Sequence, residues 1–512
     1  MKRLLLSVVI VCSASAAKAH TAESCGDIAN FRHDGAEITK AELVPNGAMI
    51  PVPYAGTVGP LPAHCRVDGV IHRRKGIGGE EFGIGFALAL PAPEVWNGDF
   101  MMQGGGGGNG VVNYPMGASY TGEKPALVRG FAVASTDTGH KAKTGPFDFS
   151  FMRDQQAYLD FAYMANAEVA QIAKQIIARY YAKAAAYSYF VGCSTGGREG
   201  MILSQRYPTV FNGIVSGDPA MRTGLSNLAI GKWIPVAYNQ AAPREESGKP
   251  EIEKFLTDRD RKLFIDALLK VCDARDGIAD GMIFDPLGCN FDPAMLACRR
   301  GQTEGCIAPE KIAAIKKAFA GPKNLSGTQV YPGFLYDSGI ATNGPVPGLL
   351  ALHSAGIFGP YTTATDIDVD KEALHASDPL VEPASTNLST FSENRGKILF
   401  FHGDSDPWFS ALDTLDYYKS LAATAGGADN VAEWSRIFLV PGMEHCGGGP
   451  SLDRFDMLSA VVNWVEKGTA PDAVVATGKA FPGRSRPLCA YPKHAHYEGT
   501  GDPEDARNFT CE

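Results

Sequence analysis

The run Gly192-Cys193-Ser194-Thr195-Gly196-Gly197 puts a serine in a G-x-S-x-G setting, after a β-type run at 187–191 and before a helical pattern. On such a strand-to-helix turn the hydroxyl is exposed, and the next backbone N–H lies at the positive end of the helix, where a developing oxyanion would be held. Flanking glycines permit the sharp turn. A nucleophilic serine needs an imidazole to take its proton and a carboxylate to orient that imidazole. Both types follow, each just past an apolar run: Asp406 in His402-Gly403-Asp404-Ser405-Asp406-Pro407-Trp408-Phe409, and His445 in Pro441-Gly442-Met443-Glu444-His445-Cys446. Loops at the carboxyl ends of parallel strands converge on one crevice, so Ser194, Asp406 and His445 are the candidate unit for acyl transfer. Asp404 is the rival acid. Asp406 also reads as a cap for a helix beginning near Phe409, and His445 as a structural histidine.

Two glycine-bearing stretches bear on the same chemistry. Gly104 to Gly108 is no phosphate cradle, because no Lys-Ser/Thr follows and no G-x-G-x-x-G pattern with its ribose acid is present. It suits an oxyanion loop, with Gly105 or Gly106 giving one N–H and Thr195 the other. The stretch Cys272-Asp273-Ala274-Arg275-Asp276-Gly277-Ile278-Ala279-Asp280-Gly281-Met282 spaces three carboxylates with glycines, so a tight loop can wrap oxygen ligands around a hard cation. It lacks the closing glutamate of an EF-hand, and a solvated acidic turn is the competing reading.

Positioning these groups takes a sheet. Short apolar runs at 98–104, 130–135, 187–191, 213–216, 397–401 and 437–440 read as strands. Between them, 153–181 carries Tyr158, Phe161, Ala162, Ala165, Val169, Ile172 and Ile176 at helical spacing, and 453–465 repeats the pattern. Strands alternating with helices predict an α/β core with a parallel sheet covered on both faces, formed by 20–221 and 386–512. Residues 222–385, rich in proline and glycine and holding four cysteines, read as a lid-like insertion over one end of that sheet. Beyond about 470 the chain reads as an irregular wrap, and no internal repeat is visible.

The 512 residues are 45% hydrophobic and 20% charged, enough to bury a large core and unlike a disordered or fibrous chain. A formal charge of −9 offers no basic field for phosphates, which argues against nucleic acid as a partner. Residues 1–19 carry Lys2 and Arg3, an apolar run from Leu4 to Cys12, and Ala17-Lys18-Ala19, the pattern of a secretory signal cut before His20. Cleavage removes Lys2, Arg3 and Lys18 and moves the formal charge from −9 to −12. No other stretch approaches ~20 uninterrupted apolar residues, so no membrane span is expected afterwards. The expectation is a secreted or periplasmic protein, its oligomeric state left open. In an oxidising compartment the remaining cysteines, Cys25, Cys65, Cys193, Cys272, Cys289, Cys298, Cys306, Cys446, Cys489 and Cys511, suit disulfides. Their pairing stays open, although closures of 272 with 289, 298 with 306 and 489 with 511 are short.

Gly104 to Gly108 before Asn109-Gly110, Ser135-Thr136-Asp137-Thr138-Gly139-His140, Gly192 to Gly197, His402 to Asp406 and Val440 to Cys446 together resemble the tannase and feruloyl esterase family of secreted serine esterases. The likeness spans nearly all of the mature chain. It implies an α/β-hydrolase core, a large lid insertion, a structural Ca2+ and a disulfide between Cys193 and Cys446 that ties nucleophile to base. By resemblance the calcium ligands are the Asp273, Asp276 and Asp280 side chains and the Ile278 and Met282 carbonyls. The implied reaction is hydrolysis of small aromatic acid esters, feruloyl, hydroxycinnamoyl or galloyl, through an acyl-enzyme on Ser194. The alternatives are a mono(2-hydroxyethyl) terephthalate hydrolase-like esterase and, in another class, a non-catalytic calcium-dependent binding protein.

Phe409, with Trp408 beside it on the acid loop, is placed to pack against an acyl ring, although core packing suits Trp408 equally. A terephthalate monoester would need a cation for its free carboxylate, and Arg395 is the candidate, against a surface ion pair. The segment Tyr331-Pro332-Gly333-Phe334-Leu335-Tyr336-Asp337-Ser338-Gly339 departs from the Gly-Ser-Glu then Gly-Trp pattern of the family, and no tryptophan lies between Trp233 and Trp408.

Overall fold

In a computed structural model the described residues are 24–512, apart from 34, 53–55, 345–346, 353–354 and 357–358. The expected leader and its cleavage point before His20 lie outside the described residues.

The core is a nine-stranded sheet: β1 (Ala36–Val44), β2 (His64–Lys75), β3 (Glu81–Pro91), β4 (Phe100–Gln103), β5 (Ala132–Thr136), β6 (Ser188–Cys193), β7 (Gly213–Gly217), β8 (Lys397–Gly403) and β9 (Ser435–Val440). Their spatial order is β1-β2-β3-β5-β4-β6-β7-β8-β9. From β5 to β9 every pairing is parallel, while β1, β2 and β3 pair antiparallel with one another and β3 pairs antiparallel with β5. The sheet is therefore mixed, not wholly parallel as the sequence reading had it. Charged residues interrupt the apolar pattern of β1 and β2, whereas β3 carries the continuous apolar run Phe86 to Leu90, which the sequence reading missed.

Successive residues of a strand face opposite sides, and this divides the core. Phe100, Met102, Phe190, Ile398 and Phe400 enter one apolar cluster with helix α1 (Ala165–Tyr180), whereas Met101, Tyr189, Val191, Leu399 and Phe401 enter another on the far face. Helix α2 (Thr195–Arg206) sends Met201 and Leu203 to the first cluster, and helix α3 (Ala411–Thr424) adds Tyr417 and Tyr418. Helix α4 (Met457–Lys467) covers the opposite face with Val461 and Trp464. The expected long helix at 153–181 is interrupted by a π turn at Asp160–Met164.

Within 222–385 a separate apolar cluster runs from Ala229 to Leu352, built on helices such as Asp258–Cys272 and Pro309–Phe319. The first is closed by a capping box of Thr257 and Asp260, the second begins on a proline, and both are sequence-encoded starts. The tail is less irregular than expected: Ala473–Thr477 and Ser485–Cys489 pair with each other, and Ala495–Tyr497 with Phe509–Cys511. The ten cysteines form the bridges 25–65, 193–446, 272–289, 298–306 and 489–511. Among the described residues no helix is long and apolar enough to cross a membrane.

Candidate active site

Ser194 lies between the end of β6 and the start of α2 with φ 63° and ψ −124°, a conformation a non-glycine residue adopts at a cost of about 1–3 kcal/mol. Neighbours hold it there. Its N–H donates to Gly217 O at 3.0 Å, and its carbonyl accepts from Arg198 N at 3.0 Å and Ala220 N at 3.1 Å. The glycines answer to close backbone approach: a Cβ on Gly192 would lie 2.6 Å from the Gly196 carbonyl carbon and oxygen, and one on Gly196 would lie 2.9 Å from Gly105 O.

The Asp406 and His445 loops leave neighbouring parallel strands, β8 and β9. Asp406 Oδ2 accepts from His445 Nδ1 at 2.7 Å, while its Oδ1 takes the N–H groups of Trp408 at 2.7 Å and Phe409 at 3.1 Å. The capping and orienting duties, set as alternatives by the sequence, are performed by different oxygens of one carboxylate. Burial alone would raise Asp406, but His445 and His402 outweigh it and hold the carboxyl well below its usual range. Asp404 is buried with neither side-chain oxygen hydrogen-bonded among the described residues. Burial, reinforced by Asp337 and Asp218, pushes it well above the carboxylate range.

The Cys193–Cys446 bridge, with a Cα–Cα distance of 6.0 Å, joins the residue before Ser194 to the residue after His445. Beneath it lies Asp218, which sequence reading missed. Its Oδ2 accepts from Cys446 N at 2.6 Å and lies 3.4 Å from Cys193 Sγ; its Oδ1 accepts from Gly403 N at 2.8 Å. Burial and the charge of Asp406 lift Asp218 to about 6, against the pull of His402 and His445. His402, also missed, sits 3.4 Å from Asp406 Oδ2 and hydrogen-bonds Thr414 Oγ1 at 2.8 Å and Phe409 O at 3.0 Å. Asp218 immediately follows an apolar strand, the same signal that found Asp406.

Both aromatic candidates reach the base, with ring centroids 4.5 Å from His445 for Trp408 and 5.4 Å for Phe409. Trp408 also packs on the insertion's apolar cluster and edge-on to Phe147 at 6.0 Å. Segment 331–339 docks on the acid loop: Tyr331 Oη accepts from Ser410 N at 3.0 Å, and Asp337 Oδ2 accepts from Ser405 Oγ and from Gly442 N, each at 2.7 Å. Arg395 is not brought to this site. It precedes β8 at its amino end, seven strand residues before the acid loop, and lines a cavity of about 500 Å³ with Asn387, Lys397 and Trp434. Assigning it to a substrate carboxylate fails on strand direction.

In the oxyanion candidates, Thr195 N–H and Gly106 N–H have no acceptor among the described residues, as the role requires. The Gly105 N–H does not meet it, because it donates to Glu199 Oε2 at 3.1 Å. In the acidic loop, Asp273 and Asp276 accept from the loop's own amides and Asp280 pairs with Arg486 at 2.5 Å and Arg484 at 3.3 Å. Burial first, and then the charges of Asp280 and Asp273, push Asp276 up to about 7. Ile278 and Met282 contribute N–H groups to Asp276 and Asp280 at 3.3 and 3.2 Å, in keeping with a closed loop.

A mixed sheet in this strand order, with a serine on a strained turn after β6 and an Asp–His pair past β8 and β9, one strand removed from it, defines an α/β-hydrolase. The chain matches the family model described as "Tannase and feruloyl esterase" over residues 65–365 and 357–512. It is 38% identical over 527 residues to the mono(2-hydroxyethyl) terephthalate hydrolase of Piscinibacter sakaiensis, covering 90% of this chain and 86% of that one. To a probable feruloyl esterase of Arthroderma benhamiae it is 30% identical, over 82% and 81% of the two chains. The crystal structure of feruloyl esterase B from Aspergillus oryzae superposes with a TM-score of 0.76 at 26% identity, covering 95% of this chain and 99% of that one. The protein belongs to the tannase and feruloyl esterase family and is a carboxylic ester hydrolase.

Proposed function

We propose that the protein is an exported esterase of small aromatic acid esters, feruloyl, hydroxycinnamoyl or galloyl, working through Ser194, His445 and Asp406. The observation that carries this reading is the 2.7 Å hydrogen bond from His445 Nδ1 to Asp406, with the residue after His445 bonded through sulfur to the residue before Ser194. Asp406 keeps the proton on Nδ1, so Nε2 presents a lone pair to the serine. His445 takes the Ser194 proton as Oγ attacks the ester carbonyl, and the oxyanion is held by the N–H groups of Thr195 and Gly106. His445 then protonates the leaving alcohol. Water, deprotonated by the same base, cleaves the acyl-enzyme and releases the aromatic acid. Phe409 and Trp408 supply an apolar wall beside His445 for the acyl ring. The insertion at 222–385 acts as the lid that selects the ester.

Export is supported by five disulfides and by the leader pattern of residues 1–19. A structural Ca2+ at Asp273, Asp276 and Asp280, with the Ile278 and Met282 carbonyls, suits an all-oxygen donor set in which Asp273 and Asp276 are raised by desolvation and neighbouring carboxylate charge. The cation would brace the insertion. A second reading, hydrolysis of mono(2-hydroxyethyl) terephthalate, is favoured by the 38% identical relative. The decisive experiment measures nitrophenol release from a short-chain nitrophenyl ester by the native protein and by Ser194→Ala, then screens methyl ferulate, methyl gallate and mono(2-hydroxyethyl) terephthalate for product. Unchanged activity in Ser194→Ala would overturn the mechanism, and turnover confined to the terephthalate ester would select the second reading.

A further inference from the structure

The glycine loop that follows β4 is fastened to α2 at several points. Gly196 N–H donates to Gly105 O at 3.1 Å, and the Thr195 hydroxyl donates to Gly107 O. Below these contacts lies Glu199, on the helix that begins directly after Ser194 and only 2% exposed. Its Oε2 accepts the Gly105 N–H at 3.1 Å, and its Oε1 accepts the Asn109 side-chain amide at 2.5 Å. The buried neighbour Arg198 directs its guanidinium to the carbonyls of Ala162 at 2.9 Å and Phe161 at 3.0 Å, so the hydrogen-bonding duty of Glu199 is to the loop. A carboxylate buried this deeply is tolerated only when its lone pairs are occupied, and here the occupants come from both ends of one loop.

Four of the six amides of the 104–109 loop are committed, that of Gly105 to Glu199. Gly104 N–H donates to Val191 O at 2.9 Å, Gly108 N–H to Pro146 O at 2.8 Å, and Asn109 N–H to Gly106 O at 2.9 Å. Space is equally restricted: a Cβ on Gly104 would lie 2.8 Å from Gly196 Cα, and one on Gly105 would lie 2.5 Å from Asn109 Nδ2. Asn109 itself is turned into the left-handed region at φ 53°. The result is a clamped loop in which, among the described residues, only the Gly106 and Gly107 N–H groups have no acceptor, and Gly106 is the one next to the Gly105 anchor.

We propose that Glu199 is a positioning residue that ties both ends of the 104–109 loop to the helix that begins directly after Ser194, and so fixes the Gly106 N–H where the oxyanion forms. It touches neither substrate nor reacting atoms. The inference rests on the assignment of Ser194 and the oxyanion donors above. Losing one such donor costs about 10²–10³ in kcat, and a displacement of ~1 Å about a hundredfold.

The test uses the full chain, a nitrophenyl ester, and phenylboronic acid, which becomes a tetrahedral anion on the serine. Glu199→Ala should lower kcat about a hundredfold with KM within about threefold, and should weaken phenylboronic acid by a similar factor while leaving inhibition by the free aromatic acid unchanged. Asn109→Asp sets two buried carboxylates against each other and should be comparably impaired. Adding Glu199→Gln to it restores one donor facing one acceptor, with Gln Oε1 still available to Gly105, and should recover at least about tenfold over Asn109→Asp alone. This pair decides the matter even if Glu199→Ala does not fold. Near-native kcat in Glu199→Ala, equal losses for boronate and product acid, or no recovery in the double variant would overturn the role. Activity surviving in Ser194→Ala would instead overturn the reading on which it rests.

Discussion

Two aspartates on one loop, Asp404 and Asp406, are equivalent in composition and opposite in surroundings, and exchanging each for asparagine separates them. Asp406 accepts four contacts: Trp408 N and Phe409 N on Oδ1, His445 Nδ1 on Oδ2, and the 3.4 Å approach of His402 Nε2. An asparagine there must keep its single oxygen on the two loop amides to preserve the turn, which turns its NH2 toward His445. The imidazole then meets a donor and shifts its proton to Nε2, where it can no longer accept from Ser194. The expected loss is about 10⁴ in kcat at unchanged fold, the magnitude of a wrong tautomer. Asp404 has no hydrogen-bond donor on either oxygen among the described residues, and burial first, then Asp337 and Asp218, raise its pKa and so favour the neutral form. Its folded pKa is raised above the unfolded value, so the native state takes up a proton and stability declines as pH rises through the range between them. Asp404→Asn removes that uptake at constant shape. It should leave kcat within about threefold and raise the melting temperature at neutral pH, with a flatter decline toward alkaline pH. Nitrophenyl ester kinetics and thermal melts of the two variants read both effects. Comparable damage from the two substitutions, or activity above about a tenth of native in Asp406→Asn, would refute the reasoning.

Replacing Cys193 and Cys446 together by alanine should lower kcat about tenfold to a hundredfold in protein that still folds, because Asp218 and the Tyr120 hydroxyl continue to hold Cys446 N and O at 2.6 and 2.9 Å. Stability should fall by about 2–5 kcal/mol from the lost cross-link, and full activity in a verified double variant would contradict the coupling. Calcium affinity, measured by calorimetry, should weaken by up to about tenfold per pH unit below about 7, where the raised Asp276 takes a proton. Pure pH-independence, or no binding at all, would remove the site. Arg395→Ala should change kcat/KM by less than about twofold for both a neutral ester and a carboxylate-bearing one, since the side chain lies at the wrong end of β8.

Much of the candidate site was written in local pattern. Ser194 is legible because a G-x-S-x-G turn between an apolar run and a helix brings backbone close to backbone, and a Cβ on Gly192 would lie only 2.6 Å from the Gly196 carbonyl. Asp406 and His445 are legible because β8 and β9 are continuous apolar runs, the mark of strands buried on both faces, and functional loops follow such strands. The antiparallel β1 and β2 were less visible, since charged residues interrupt their apolar pattern and only pairing completes them.

By itself the sequence determined the kinds of group and their strand-end addresses, because these depend on residue type and spacing along a single element. Only the tertiary structure decided which groups meet. It set Asp406 rather than Asp404 against His445, drew Asp218 under the disulfide from the end of β7, took Gly105 out of the candidate oxyanion donors by giving its N–H to Glu199, and left Arg395 at the far end of a strand. Each of these outcomes turns on an angle or a few ångströms between elements distant in sequence. Hydrogen bonding and desolvation fall away over that distance, and no spacing along the chain encodes it.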